Sequence, residues 1–246
     1  MRYMQRAIAV SALLVLGHQA SAITVAPGET AFLPGTTLLE TPALAGSLAA
    51  SQSTLFDFNE TPLFIQGWSV DSEILRSDAD GATIMRHRFV QATNTFPSFA
   101  FVDSYRISGY ASLRTDVYFR LDGPGDRAPT SVRRSDDGDM LEFTFGFPLV
   151  AGFLLDQMQE TSFAIDILTD ADSFTTTGEM AVDGRLQEDA GTVERSVLQS
   201  NMLVPIIADR PGEPGSDVAV VPLPAPAGLL SMALLGLATL RRTRRM

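Results

Sequence analysis

The chain has 246 residues, with 29 acidic side chains, 18 basic ones that are all arginine, two histidines, and a formal net charge of −11. It contains neither cysteine nor lysine, which excludes disulfides, thiolate nucleophiles, cysteine-ligated metals, Schiff-base chemistry and Walker-type phosphate binding. The acidity argues against nucleic acid as a partner, because phosphate binding needs clustered cations.

The first element is a secretory signal helix over residues 1–22. Arg2 and Arg6 form a positive head, and the run from Ala7 to Gly17 is uncharged and apolar. Ala20 and Ala22 stand at the two positions a signal peptidase reads, so cleavage leaves Ile23 as the new N-terminus. The apolar run is much shorter than the roughly 20 residues of a membrane span.

Residues 23–207 form the passenger domain. Up to Ala225 the exported part holds all 29 carboxylates and 12 arginines, a formal charge near −17. Apolar residues alternate along most of the domain, the period-2 signature of half-buried strands. Met85, His87 and Phe89 share one face, with Arg86 and Arg88 on the other. The same alternation places Phe99, Phe101, Tyr105 and Ile107 in a strand, then Val117, Phe119 and Leu121. Leu141, Phe143, Phe145 and Phe147 form the next set, and Phe163, Ile165 and Ile167 another. Turn signals separate them at Asp78–Gly81, Asp122–Gly125, Asp136–Asp139 and Asp183-Gly184. Short helices are expected only near Leu149–Gln159 and Thr41–Ser51. Many short strands with frequent turns imply an all-β fold, an antiparallel β-sandwich or jelly roll.

Chemistry is sparse in this domain. His18 leaves with the signal peptide, so His87 is alone, and no G-x-S-x-G or H-E-x-x-H motif accompanies it. His87 therefore reads as a structural strand residue. Trp68, with Phe64 and Val70 on its side of a strand, reads as core. Asp103, Asp116, Glu142 and Asp166 lie on strands where two carboxylates could face each other, as glycosidases require. Asp78 with Asp80, then Asp136, Asp137 and Asp139, and Asp170 with Asp172 supply hard oxygen ligands in tight loops. Ca²⁺ is the one cofactor such clusters fit, although none completes a twelve-residue EF-hand loop and aspartates also simply make turns.

Residues 208–220 are rich in Pro, Gly and Asp and read as a linker. Val221, Pro222, Leu223, Pro224 and Ala225 follow, extended and accessible because the prolines cannot enter a helix or a ladder. A single transmembrane helix is expected over residues 226–240, closed by Arg241, Arg242, Arg244 and Arg245. Its fourteen apolar residues from Ala227 span only about 21 Å, so snorkelling arginines must make up the hydrocarbon thickness. The positive-inside rule keeps those arginines in the cytoplasm as the stop-transfer signal.

Motif, apolar helix and basic tail in this order resemble the PEP-CTERM sorting signals, and Val-Pro-Leu-Pro-Ala resembles their VPLPA-CTERM branch. The resemblance covers residues 221–246 alone. It implies processing by a membrane-embedded exosortase in a Gram-negative bacterium. An inner-membrane-anchored precursor would then pass to the cell surface, outer envelope or extracellular matrix, in company with exopolysaccharide. The expected function is thus a non-catalytic surface or matrix protein of the biofilm. The alternatives are a secreted carbohydrate-active enzyme with a carboxylate pair, and a Ca²⁺-dependent carbohydrate-binding or adhesion module.

Overall fold

The computed structural model describes residues 23–58, 66–94, 99–152, 160–188 and 191–208. The expected signal helix with Ala20 and Ala22, the linker, Val221–Ala225, the transmembrane helix and the arginine tail lie outside these residues. No helix of the described residues is long and apolar enough to cross a membrane.

Among the described residues thirteen strands run in chain order. They are β1 (Ile23–Thr24), β2 (Thr30–Phe32), β3 (Gly35–Thr36), β4 (Gly46–Asp57), β5 (Gln66–Ser77), β6 (Thr83–Asn94), β7 (Phe99–Ile107), β8 (Thr115–Arg120), β9 (Ser131–Arg134), β10 (Leu141–Gly152), β11 (Ile165–Thr169), β12 (Ser173–Glu188) and β13 (Gly191–Ile206). They form two sheets. Sheet A has the order β1-β8-β11-β6-β5-β4, and sheet B the order β13-β12-β7-β10-β9-β2. Every pairing is antiparallel except β3, which lies parallel on β8 along the edge it shares with β1. The described residues are therefore nearly all β, two antiparallel sheets in a β-sandwich.

Alternation explains the packing. Cross-strand partners share a face, so Val132, Phe143, Tyr105 and Val182 form one inward row of sheet B. From sheet A, His87, Phe89, Met85, Ile165 and Ile167 meet them in the core. The Tyr105 ring stacks on Phe143 at 4.6 Å and lies 4.8 Å from Phe89. Trp68 is buried among these residues, as its strand pattern implies. One long side of the sandwich is closed by Gln52 of β4. Its Nε2 donates to Asn201 O at 2.9 Å and its Oε1 accepts from Leu203 N at 3.0 Å, standing in for a neighbouring strand where Asn201 takes φ 61°.

Arg134 ties one end together. Its buried guanidinium donates to the carbonyls of Val25, Tyr110, Leu113 and Gly138 and to Thr115 Oγ1, at 2.8–3.1 Å. Ala208 N donates to Asp172 Oδ1, just past β11, whose Thr169 pairs with Thr115. Residue 208 thus lies at the end of the sandwich where β8 begins, whereas Ile23 pairs with Val117 farther along β8 and Val25 reaches Thr115.

Several expectations need correction. Thr41–Ser51 holds only a single 3-10 turn, Pro42–Leu44, before β4 begins at Gly46. Leu149 to Gly152 belongs to β10 rather than to a helix, because Val150 and Ala151 pair with Phe101 and Ala100; residues 153–159 lie outside the described residues. Asp183-Gly184 is no turn but runs through the middle of β12, opposite a bulge at Asp103 of β7. Glycine is needed there because a Cβ would sit 2.1 Å from Phe101 O. Phe147 leaves the face it was expected to share with Phe143. The register of β10 slips between Thr144 and Leu149, and its ring is 74% exposed beneath the Arg127 guanidinium.

Candidate functional site

The outward face of sheet A carries the densest set of functional groups among the described residues. Period-2 alternation aims Asp71 and Glu73 of β5, Arg86 and Arg88 of β6, Asp166 of β11 and Arg120 of β8 away from the core. Register then aligns Glu73, Arg86, Asp166 and Tyr118 across four strands. At one end of this face the cross-strand pair Leu75 and Ile84 is buried, as is Leu44 of the 3-10 turn. Those side chains face away from the main core and form a small apolar cap of their own.

Next to the cap lies an ion cluster. Asp166 is fully buried and receives both arms of Arg86, Nε to Oδ1 at 2.6 Å and Nη2 to Oδ2 at 2.9 Å. Arg120 Nη1 stands 3.8 Å from Asp166 Oδ2 on the other side, and its Nε donates to Asp122. Glu73 lies 3.7 Å from Arg86 Nη1. Burial works against the Arg86 charge, but Asp166 outweighs it and holds the guanidinium above its usual pKa. Burial likewise opposes ionisation of Asp122. Hydrogen bonds from Arg120 and Leu38 N prevail and keep its pKa below the usual carboxylate value.

Beyond the cluster the face opens into a cleft of about 290 Å³. Arg88 enters it without an ion-pair partner among the described residues, and its Nε is shielded from solvent and unbonded. Asp71, directly opposite Arg88 in the ladder, instead accepts from Ser53 Oγ at 2.7 Å. Ala164 gives a small floor, and Pro124 forms part of the wall.

The carboxylates expected to pair with one another mostly pair with cations. Asp103 takes a two-armed contact from Arg185 at 2.7 and 2.8 Å, and Asp116 takes Arg114 Nη2 at 2.9 Å as well as Thr24 Oγ1. Asp116 and Asp166 share the outer face but sit diagonally on β8 and β11, each turned to its own arginine. Glu142 lies on the outer face of the other sheet, opposite Arg106 and Arg133.

Most of the loop aspartates accept hydrogen bonds from backbone N–H groups, within their own turn or from a neighbouring loop. Asp80 accepts from Ala82 N and Asp137 from Ser135 Oγ and Asp139 N, contacts that lower the pKa of both. Asp139 accepts from Gly109 N and Ala111 N, Asp170 from Arg114 N, and Asp172 from Ala208 N. Asp78 and Asp136 are exposed. Among the described residues no three acidic or histidine side chains are gathered in metal-binding geometry.

His87 faces the core, fully buried, with Nδ1 3.0 Å from Ser72 Oγ and the Tyr105 ring edge-on at 6.3 Å. Burial lowers its pKa to about 3, so at neutral pH it is an uncharged core residue. The sequence marked Arg86 and Arg88 only as strand residues, and Asp166 as one of four strand carboxylates that could face another. Their convergence with Arg120 depends on β11 inserting between β6 and β8, which local pattern does not reveal. Compared with models of protein families, with curated proteins and with solved structures, the chain matches none.

Proposed function

We propose that this chain is an exported cell-surface or matrix protein, sorted through its C-terminus, whose β-sandwich binds extracellular polysaccharide without transforming it. The observation that carries the reading is the sequence order Val221–Ala225, uncharged apolar run, arginine cluster, in a chain whose first 22 residues have the composition of a signal peptide. Signal peptidase and an exosortase are the processing partners. The membrane is a partner through residues 226–240 until processing, and nucleic acid is not one.

Two structural facts support it. Residue 208, where the domain meets its expected linker, is held by Asp172 at the end of the sandwich where β8 begins, so the described domain stops at an end rather than on a sheet face. The cleft on sheet A offers guanidinium donors beside carboxylate acceptors, the hydrogen-bonding pair that sugar hydroxyls satisfy. Deleting the exosortase in the producing cell tests the reading. The protein should retain its C-terminal segment and shift from the surface fraction to the inner membrane. Unchanged mass and fractionation would refute it.

A further inference from the structure

We infer that the Arg88 cleft is a subsite for one acidic sugar unit, a pyranose ring bearing a carboxylate and neighbouring hydroxyls. This rests on the polysaccharide-binding reading and specifies its ligand.

Donor allocation points there. Of the three arginines that meet at the cleft, Arg86 and Arg120 direct their donors to Asp166 and Asp122, which offset their charges. Arg88 has no such partner among the described residues, even though Asp71 is its cross-strand neighbour. A guanidinium fork held half-buried and unengaged on an acidic domain matches a carboxylate in two-armed geometry. The remaining wall then limits the choice. Asp71 and Glu73 are acceptors only, so a sulfate would face their repulsion with no proton to offer them, and a hydrogen phosphate would bring as much charge with at most two P–OH donors. A neutral sugar would satisfy the acceptors and leave Arg88 unused. A uronate ring engages both, its carboxylate on Arg88 and its hydroxyls donating to Asp71 and Glu73. Pro124 offers an apolar edge to the ring's C–H face. At about 290 Å³ the cleft holds a single ring, the small end of ligand sites, which run from about 300 to 1,000 Å³.

The test titrates the purified full chain with methyl glucuronide, methyl glucoside, acetate and sulfate by calorimetry. Methyl glucuronide should bind, with methyl glucoside, acetate and sulfate each at least tenfold weaker. Arg88→Gln should weaken the glucuronide at least tenfold with its melting temperature unchanged. Gly123→Phe, at a rim position where a Cβ meets no atom within 4 Å, should block the cleft without altering charge. Arg133→Gln, exposed on sheet B, should bind as the parent does. Absence of glucuronide binding, equal binding of glucoside or simple anions, or indifference to Arg88→Gln overturns the subsite. The producing cell's own polysaccharide separates the two levels. If the parent and Arg88→Gln chains retain it equally, polysaccharide binding stands and the subsite falls. If the parent does not retain it, polysaccharide binding itself is wrong.

Discussion

His87 should make the domain acid-sensitive in a calculable way. Its folded pKa is about 3, against 6.5 in the unfolded chain, because the buried ring cannot carry charge without solvent. The folded state therefore favours the neutral form. The stability this contributes is complete above pH 6.5 and is lost as pH falls from there towards 3. Each pH unit inside that window costs about 1.4 kcal/mol, so protonation of the unfolded chain removes about 2 kcal/mol between pH 7 and pH 5. His87→Leu deletes the titration while filling most of the ring's volume. It also leaves Ser72 Oγ without its partner, so the informative quantity is the difference between the two pH values. Urea unfolding of both proteins at pH 7 and pH 5 gives that difference, and the lowered carboxylates Asp80, Asp122 and Asp137 contribute equally to each and cancel. The variant should lose about 2 kcal/mol less than the parent on acidification. Equal losses would mean that His87 is protonated or solvated in the folded protein, and would refute the reasoning.

Other perturbations have equally definite outcomes. Arg134→Met should cost about 3–5 kcal/mol in urea unfolding, since it strands the buried carbonyls of Val25, Tyr110, Leu113 and Gly138. Arg134→Lys should recover little, because three donors on a point charge cannot serve five acceptors in a plane. Asp166→Leu should destabilise by about 3 kcal/mol, read by the same assay, because it leaves the half-buried Arg86 with only Glu73 at 3.7 Å for a partner. Gly184→Ala should lower stability by about 2–3 kcal/mol through its clash with Phe101 O, whereas Gly123→Ala should be silent within about 0.5 kcal/mol. Because the turn aspartates already accept backbone N–H groups, millimolar Ca²⁺ followed by EDTA should leave the melting temperature unchanged within about 1 °C, and a reversible rise would assign them to a cation instead.

How far the sequence foretold the structure depends on whether a feature is local. Alternation in Met85–Phe89 and Ile165–Ile167 sets which side chains face inward, and the burial of Phe89, Ile165 and Ile167 follows that pattern. The turns at Asp78–Gly81 and Asp136–Asp139 are legible for the same reason, with Gly81 and Gly138 at φ 76° and 77° as tight turns require. Where a partner strand intrudes, local pattern misleads. Asp183-Gly184 has turn composition, yet its glycine answers to the backbone of β7. Phe147 alternates correctly with Phe145, yet a slip against β7 turns it to solvent. Leu149–Gly152 lacks clear alternation and is recruited as a strand by pairing with Phe99–Val102. The sheet A cleft is of this kind. Its residues come from strands separated by up to about a hundred positions, brought together by the order β8-β11-β6-β5.

On the proposed function, the chain is a secreted precursor trimmed at both ends and delivered to the surface. Intact-mass measurement of the protein recovered from the producing cell's surface fraction tests it most directly. A species beginning at Ile23 and ending within or beside Val221–Ala225 is the predicted result. A surface species retaining Met246, or a full-length chain found only in the cytoplasm, would contradict it.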